Sequence, residues 1–594
     1  MKIVSIYPAP FDVQLRHEAN SAILYNNKIY AYEEGKITSV KNEPTTLFPE
    51  KSLMLGFKEL KIIPENVDLW VFPKTQNKLD LKALYLFFSF FLKAYTGNRA
   101  KFKNWIKRKV KIVKHHDLHT YSSIGCSGYK NGLYVNFDGG GDFGDTRNCT
   151  WGTFNNRKIN EYGKSFGLNN IACFHAFITD LCGFKSDNGK VTGIAAYGKI
   201  NNNLKEKFLK VLKITNNQII FTRKRYKNSK PNLNNLDVNE YDRYKILNPF
   251  PAHSNISKIC KGFNLQDIAA TAENIIEEFI IKFLKNIKKN FTKGYSENIV
   301  FSGGLFLNVN LNAKIEKSKI FKRCFFPPAP SDSGLALGGV FSQKLLKIKN
   351  SKYGISPLLG PSFDSSEIEK NLKKFKLHYN KCKNIHKDIA SNISKGKIVG
   401  IFNGKAEYGQ RSLGSRSILA DPRKKDSKHR LNINLKRRDW FMPFAPAILD
   451  NHFFKWFGNN QMPSLYMQKA LRILKDKEKF IPSAVHIDDT CRVQYVSKDK
   501  YPNFWKIINE FHKLTKIPLI LNTSFNRHGI STISTPRQAI EHLMEGCIEI
   551  LYINEFKVEL KKNRKIKISV SKKIPEKNLL KQENNNWKRK LRNY

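Results

Sequence analysis

Two short runs of β-branched and aromatic residues, each ending in a glycine turn, constrain this chain more than any other feature. Leu133 to Phe137 leads into Asp138-Gly-Gly-Gly-Asp142 and then Gly144-Asp145. Asn298 to Phe301 leads into Ser302-Gly303-Gly304, after which a helix is predicted to begin near Leu305. Turns of this kind bring backbone N–H groups and carboxylates together, and their glycines let a nucleotide approach the backbone closely. The P-loop pattern G-x-x-x-x-G-K followed by Ser or Thr does not occur, so ordinary P-loop kinase chemistry loses support. Further strands are expected at Lys2 to Ile6 and Ala22 to Tyr25, with a helix at Ile268 to Ile287. That alternation predicts an α/β protein.

The length of 594 residues suits about two to four domains. Gly and Pro break the periodicity between Ser351 and Pro361, which predicts a first unit over 1–350, a linker over 351–362 and a second α/β unit over 363–560. The second unit is expected to hold a strand at Lys397 to Ile401, a basic loop from Arg411 to Arg438, a strand at Leu519 to Leu521 ending in a polar turn, and a helix at Pro536 to Met544. Residues 561–594 form a Lys- and Asn-rich basic tail, expected to be solvated or partly disordered. No internal repeat or sustained heptad is visible.

Lys+Arg 103 against Asp+Glu 50 gives 103 − 50 = +53, a balance that raises the question of a polyanionic partner. The excess is mostly lysine spread through every segment, whereas a nucleic-acid footprint clusters on one face. The charge equally suits small phosphorylated substrates, and nucleic acid is not the expected partner. The nine cysteines are odd in number, lie far apart and contain no C-x-x-C, which argues against a disulfide framework and a thiolate zinc site. Asp12, Arg16, His17 and Glu18 occupy the place where a signal peptide needs an apolar core, so a cytoplasmic location is expected. The longest apolar run, Ala83 to Leu92, is too short to span a bilayer, which takes about 20 residues, and is expected to be a buried helix.

Three constellations carry chemistry. His115-His-Asp-Leu-His119 places two imidazoles four apart on one helical face, but the H-E-x-x-H pattern fails. With Asp138 and with Asp332 in Pro330-Ser-Asp-Ser-Gly334 they could complete a mixed N/O site suited to iron, zinc or manganese. Glu407-Tyr-Gly-Gln-Arg411-Ser-Leu-Gly-Ser-Arg416 and Lys436-Arg-Arg438 gather cations near glycines, as binding several phosphate oxygens requires; a solvated basic face is the plainer alternative. Leu519-Ile-Leu-Asn522-Thr-Ser524-Phe-Asn526 ends an apolar strand in amides and hydroxyls, a pattern found where a small polar ligand is gripped.

These segments, with Pro328-Ala-Pro-Ser-Asp332 and Ser417-Ile-Leu-Ala-Asp-Pro-Arg423, occur in one order that resembles the nodulation and antibiotic-biosynthesis O-carbamoyltransferases, from about residue 17 to 555. The resemblance implies an N-terminal, duplicated actin-like ATPase domain followed by a YrdC-like domain. The latter would convert carbamoyl phosphate and ATP to carbamoyl adenylate, and the former would transfer the carbamoyl group to a hydroxyl of a sugar or secondary metabolite. By motif matching, His115, His119, Asp138 and Asp332 would hold a divalent transition metal, with iron favoured and zinc or manganese as alternatives. Gly303, Gly304 and Asn308 would hold the adenylate, and Arg416 and Arg438 the ATP phosphates, with Mg2+ accompanying ATP. Arg411, Lys436, Arg492, Asn522 and Ser524 would contact carbamoyl phosphate, and His17 would act as the catalytic group on the carbonyl or the acceptor hydroxyl.

Two departures stand out. Where the family usually reads Phe-Arg-Pro-Phe-Ala-Pro, this chain has Phe441-Met-Pro-Phe-Ala-Pro446, so Met442 takes the place of an arginine, with Arg437 as a neighbouring substitute. A lost charge-assisted hydrogen bond costs on the order of 1.5–3 kcal/mol, so a weakened site is expected. Asp187-Asn188 also replaces the usual Gly-Glu. The competing functions are threonylcarbamoyl transfer to tRNA and a catalytically impaired RNA-binding homologue. The acceptor and the oligomeric state are not legible in the sequence.

Overall fold

The computed structural model describes residues 1–7, 18–40, 48–74, 99–139, 147–166, 170–184, 187–214, 219–221, 255–290, 297–345, 353–436, 439–527 and 529–559, with 578, 580–582 and 584–585 in the tail. His17, the Ala83–Leu92 run, Arg437 and Arg438 lie outside the described residues.

Three main sheets organise the chain. The first is built from β1 (Ile3–Tyr7), β2 (Asn20–Tyr25), β3 (Lys28–Glu33), β4 (Leu69–Pro73) and β5 (Val110–Val113), in the order β3-β2-β1-β4-β5. β1, β2 and β3 pair antiparallel, whereas β4 and β5 join in parallel. The second contains β6 (Asn131–Phe137), β7 (Arg147–Asn155) and β8 (Lys158–Phe166); after a small hairpin of β9 (Leu212–Ile214) and β10 (Ile219–Phe221), β11 (Asn298–Ser302) and β12 (Arg323–Phe325) complete it. Its order is β12-β11-β6-β7-β8, with β6, β7 and β8 antiparallel and β11 and β12 parallel. Strand for strand this repeats the first sheet, which is the duplicated architecture of the actin-like ATPase fold. No sequence repeat announces it, because topology recurs without recurrence of the residues.

Alternation decides which face each side chain takes. Val4 and Ile6 of β1 enter one core with Ile23 and Trp70, while Ile3 and Tyr7 enter another with Ala22 and Val71. In β6, Leu133, Val135 and Phe137 face a third core, and Tyr134 faces back to the one holding Ile3. The helices His115–Ser127 and Leu335–Gln343 pack in the shared core. They approach closely because glycines leave room: a Cβ on Gly125 would stand 2.1 Å from the Phe341 ring, and one on Gly338 would stand 2.0 Å from the Leu118 carbonyl oxygen.

The third sheet has eight strands: β13 (Tyr379–Lys381), β14 (Val399–Phe402), β15 (Arg416–Ala420), β16 (Ala445–Leu449), β19 (Gln494–Val496), β20 (Leu519–Ser524), β21 (Ile550–Ile553) and β22 (Phe556–Glu559). A separate pair, β17 (Leu471–Arg472) and β18 (Thr490–Cys491), lies outside it. β20 is an interior strand, flanked by β15 and β16.

Several elements differ from expectation. No α-helix starts at Leu305: a 3-10 turn spans Gly304–Leu307, and the helix Val309–Lys317 begins after Asn308, whose side chain accepts from the Asn310 and Leu311 amides as an N-cap. The expected strand at Leu519–Leu521 continues to Ser524, so Asn522 and Ser524 are strand residues rather than turn residues. β15 interrupts the expected basic loop. Two of the described tail residues touch the body of the protein: Asn584 Oδ1 accepts from the Leu265 amide at 2.9 Å, at the start of the helix Leu265–Lys289, and Leu580 packs on the core of the second sheet. Among the described residues no helix is long and apolar enough to cross a membrane.

Candidate active site

His115 and His119 start the first helix of the shared core, Asp138 follows the last residue of β6, and Asp332 sits on the loop after Pro330. Three remote stretches of chain therefore converge. The two Nε2 atoms stand 3.1 Å apart. Asp138 Oδ2 lies 3.5 Å from His115 Nε2 and 3.6 Å from His119 Nε2, and Asp332 Oδ1 lies 3.4 Å from each. Ligand atoms held about 2.0–2.2 Å from one ion stand about 3.0–3.5 Å from each other, so this spacing fits a common metal. Asp332 Oδ1 is buried without a hydrogen-bond partner, and an unsatisfied buried carboxylate oxygen is costly unless a cation completes it.

The electrostatics follow from burial and pairing. Burial opposes ionisation of Asp138, but the imidazoles of His115 and His119 outweigh it and hold the carboxyl well below its ordinary range. Asp332 is depressed for the same reason. Burial also opposes charge on His119, yet its contacts with Asp138 and Asp332 raise it. Two anionic oxygens and two imidazoles in one buried pocket form a donor set for a divalent transition metal. Neighbours orient the ligands: the Tyr7 hydroxyl donates to Asp332 Oδ2 at 2.8 Å, and Ser302 Oγ lies 3.4 Å from His119 Nδ1.

The second glycine turn belongs to this cluster. The Gly304 N–H donates to Asp138 Oδ1 at 3.1 Å, and Gly303 has φ +96°. A Cβ at Gly303 would stand 2.0 Å from the Phe137 carbonyl oxygen, so the turn presses directly on the end of β6. Asn308 differs more from its expected nucleotide role. Its Oδ1 caps a helix and its Nδ2 donates to Glu273 Oε2 at 2.6 Å, which commits both ends of the side chain to buried structure.

A second polar cluster forms on β20. Lys436 Nζ donates to the Ser524 carbonyl oxygen at 2.6 Å, to Ser524 Oγ at 2.9 Å and to Asn526 Oδ1 at 3.0 Å. Asn522 projects from the same strand face as Ser524, since the two are two residues apart. Its Nδ2 donates to the Ser412 carbonyl oxygen, beside Arg411, and to Gln494 Oε1, two residues after Arg492. Asn522 is thereby tied to the two segments that carry Arg411 and Arg492, and Lys436 to Ser524 on the same strand. Asn522 Oδ1 is buried without a donor, and Arg411 Nε without an acceptor. Burial lowers the affinity of the Arg411 guanidinium for its proton, and Asp187 opposes that shift.

Arg416 is a correction to the expected ATP-phosphate site. It is fully buried, its Nη1 donates to the Asn403 and Ser415 carbonyl oxygens and to Ser415 Oγ, and its Nη2 donates to the Pro361 and Gly404 carbonyl oxygens. The guanidinium also stacks 3.6 Å from the Phe402 ring centroid. Its four Nη hydrogens are spent on backbone and side-chain oxygens, so Arg416 ties loops together. Burial pushes its pKa down to about 10, against the pull of Glu407 and Glu59.

Met442 is likewise placed by packing. It lies against the core of the second sheet, with its sulfur 4.0 Å from where a Cβ on Gly193 would stand, and Phe441 beside it is 3.4 Å from the same point. Lys190 closes the contact with Asp439 at 2.8 Å. The departure from the family pattern is an apolar contact between the two units. Glu18 and Gln410, which the sequence does not single out, join the metal-type cluster to the segment carrying Arg411.

A carbamoyltransferase N-terminus family model matches residues 75–341, and a carbamoyltransferase C-terminus model matches residues 390–560. An uncharacterized protein of Methanocaldococcus jannaschii is 29% identical over 554 residues, covering 91% of this chain and 97% of that protein. The nodulation protein NolO of Bradyrhizobium diazoefficiens is 28% identical over 461 residues, covering 75% of this chain and 78% of its own length. Among solved structures, full-length HypF in its phosphate- and nucleotide-bound form overlaps 59% of this chain and 56% of its own at 12% identity and a TM-score of 0.31, too distant to bear on residue roles.

Proposed function

The chain belongs to the carbamoyltransferase family, and from that premise we propose that it is an ATP-dependent O-carbamoyltransferase with two reaction sites. In the C-terminal unit, carbamoyl phosphate and ATP yield carbamoyl adenylate; in the N-terminal unit, the carbamoyl group passes to the hydroxyl of a sugar or other small metabolite. The atoms balance if one water first cleaves carbamoyl phosphate to carbamate and phosphate; a carbamate oxygen then displaces pyrophosphate from the α-phosphorus of ATP, and transfer releases AMP while the acceptor oxygen loses its proton to a base.

The observation that carries this reading is the pairing of two unlike polar clusters within the residues the two family models match. Lys436 and Arg411 offer cations to phosphate oxygens, and Asn522 Oδ1, which lacks a donor, suits the amide N–H of a carbamoyl group. His115, His119, Asp138 and Asp332 would hold a divalent metal, which when bound supplies a Lewis acid for a carbonyl or hydroxyl oxygen. Tyr7 and Ser302 keep two of those ligands in place. His17 is proposed as the group that takes the acceptor proton, a task suited to an imidazole titrating near neutrality.

Activation precedes transfer because carbamate is a poor electrophile, whereas its mixed anhydride with AMP carries a good leaving group. Comparative mass spectrometry of metabolites from cells with and without the protein tests the reading and identifies the acceptor. Protein-dependent gain of 43 mass units, about one carbamoyl group replacing a hydroxyl hydrogen, on a hydroxylated metabolite is expected. No such species under any condition that supports carbamoyl adenylate formation would exclude the transfer step.

A further inference from the structure

The loop Pro327–Ser333, which carries Asp332, is gripped from the C-terminal unit on both sides. Gln468 Nε2 donates to the Pro327 and Pro328 carbonyl oxygens at 3.0 and 3.3 Å. On the other side the segment Glu407–Arg411 lies so close that a Cβ on Gly409 would stand 2.3 Å from the Pro328 carbonyl oxygen. Within that segment the Gln410 amide donates to Ser331 Oγ at 3.1 Å and to Glu18 Oε1 at 2.8 Å. The other oxygen of Glu18 accepts the Ser333 N–H at 3.0 Å.

Glu18 thus touches both parties, and it does so from a left-handed backbone with φ 67°. A non-glycine residue is held there only where its surroundings over-determine it. Its carbonyl oxygen also accepts from Asn20 Nδ2 at 2.6 Å, and Asn20 Nδ2 reaches the Asp332 carbonyl oxygen at 3.0 Å. A carboxylate is the acceptor this arrangement needs, because it must take two N–H donors from opposite sides at once.

We infer that Glu18 and Gln410 form a clasp through which docking of the C-terminal unit fixes the Asp332 loop in its ligand-holding position. Both are positioning residues. Arg411 adjoins Gln410 in the same segment, so the cationic cluster and the Asp332 ligand are mechanically linked through one short stretch of chain. The metal-holding part of this inference rests on the proposed ligand set; the clasp itself rests on the hydrogen bonds.

The test uses the full chain and its Gln410→Ala and Glu18→Ala variants in two measurements. Amide hydrogen exchange of peptides covering 329–334 should be faster by about tenfold or more in either variant, since the Ser333 N–H and its loop lose a charge-assisted restraint, while peptides of β20 stay unchanged. Affinity for Co2+, titrated against a competing chelator, should weaken by about tenfold or more in both variants. Unchanged exchange in residues 329–334 in both variants would overturn the clasp, whatever the metal result. Faster exchange with unchanged Co2+ affinity would overturn its role in holding the ligand. A wild-type chain that binds no Co2+ would instead refute the ligand set, and the exchange measurement would still decide the clasp.

Discussion

The Lys436 ammonium lies 2.6 Å from the Ser524 carbonyl oxygen and 2.9 Å from the Ser524 hydroxyl, fixing a basic side chain at the end of β20, an interior strand of the third sheet. Lys436 is nearly fully buried, and its ammonium also donates to Asn526 Oδ1 at 3.0 Å. An ammonium held at this strand end, beside Asn522 and Ser524, can donate a charge-assisted hydrogen bond to a phosphate oxygen.

Lys436→Ala is therefore expected to lower carbamoyl-phosphate-dependent pyrophosphate release by about a hundredfold or more, equivalent to about 2.7 kcal/mol. Ser524→Ala, which leaves the cation in place, should cost about tenfold. Steady-state pyrophosphate assays check both, and full activity in Lys436→Ala would refute the phosphate role.

Arg416→Met should act on stability instead. Removing a guanidinium that satisfies several buried oxygens leaves them without donors, at a cost of about 3 kcal/mol or more. A lower urea midpoint with an unchanged apparent KM for ATP in the folded protein is expected. A tenfold higher KM with no loss of stability would restore Arg416 to the phosphate site.

The fold class was legible in the residues, because β6 and β11 are runs of β-branched and aromatic residues ending in glycine turns, and such strands alternate with helical stretches like Ile268 to Ile287. The convergence of His115, His119, Asp138 and Asp332 was legible in part, since the two histidines share a helical face and both aspartates stand at element ends. What was hidden needed distance in the chain to collapse. Nothing local in Arg416 distinguishes a loop tie from a phosphate ligand, and only the carbonyl oxygens of Pro361, Asn403 and Gly404 around it make the difference. Glu18 and Gln410 were invisible for the same reason, as their contact spans 392 residues.

Met442 gives a sharper case. On the sequence, restoring arginine there should tighten carbamoyl-phosphate binding. In the structure the side chain packs against the Gly193 helix, so a longer, charged group overpacks that contact. Met442→Arg is expected to lower stability by about 1–3 kcal/mol and to leave the apparent KM for carbamoyl phosphate within twofold. Thermal unfolding and substrate titration check this, and a tenfold lower KM would show that the guanidinium reaches the phosphate after all.

The central claim is that adenylate formation and carbamoyl transfer occupy separate sites, and it is tested most directly by mass-spectrometric detection of carbamoyl adenylate. Wild type, His119→Ala and Lys436→Ala would each be incubated with carbamoyl phosphate and Mg-ATP, with metal content measured in parallel. The account predicts carbamoyl adenylate and pyrophosphate from wild type and from His119→Ala, the latter with less than about a tenth of the wild-type transition metal, and neither product from Lys436→Ala. Carbamoyl adenylate absent from wild type, or lost in His119→Ala and retained in Lys436→Ala, would contradict it.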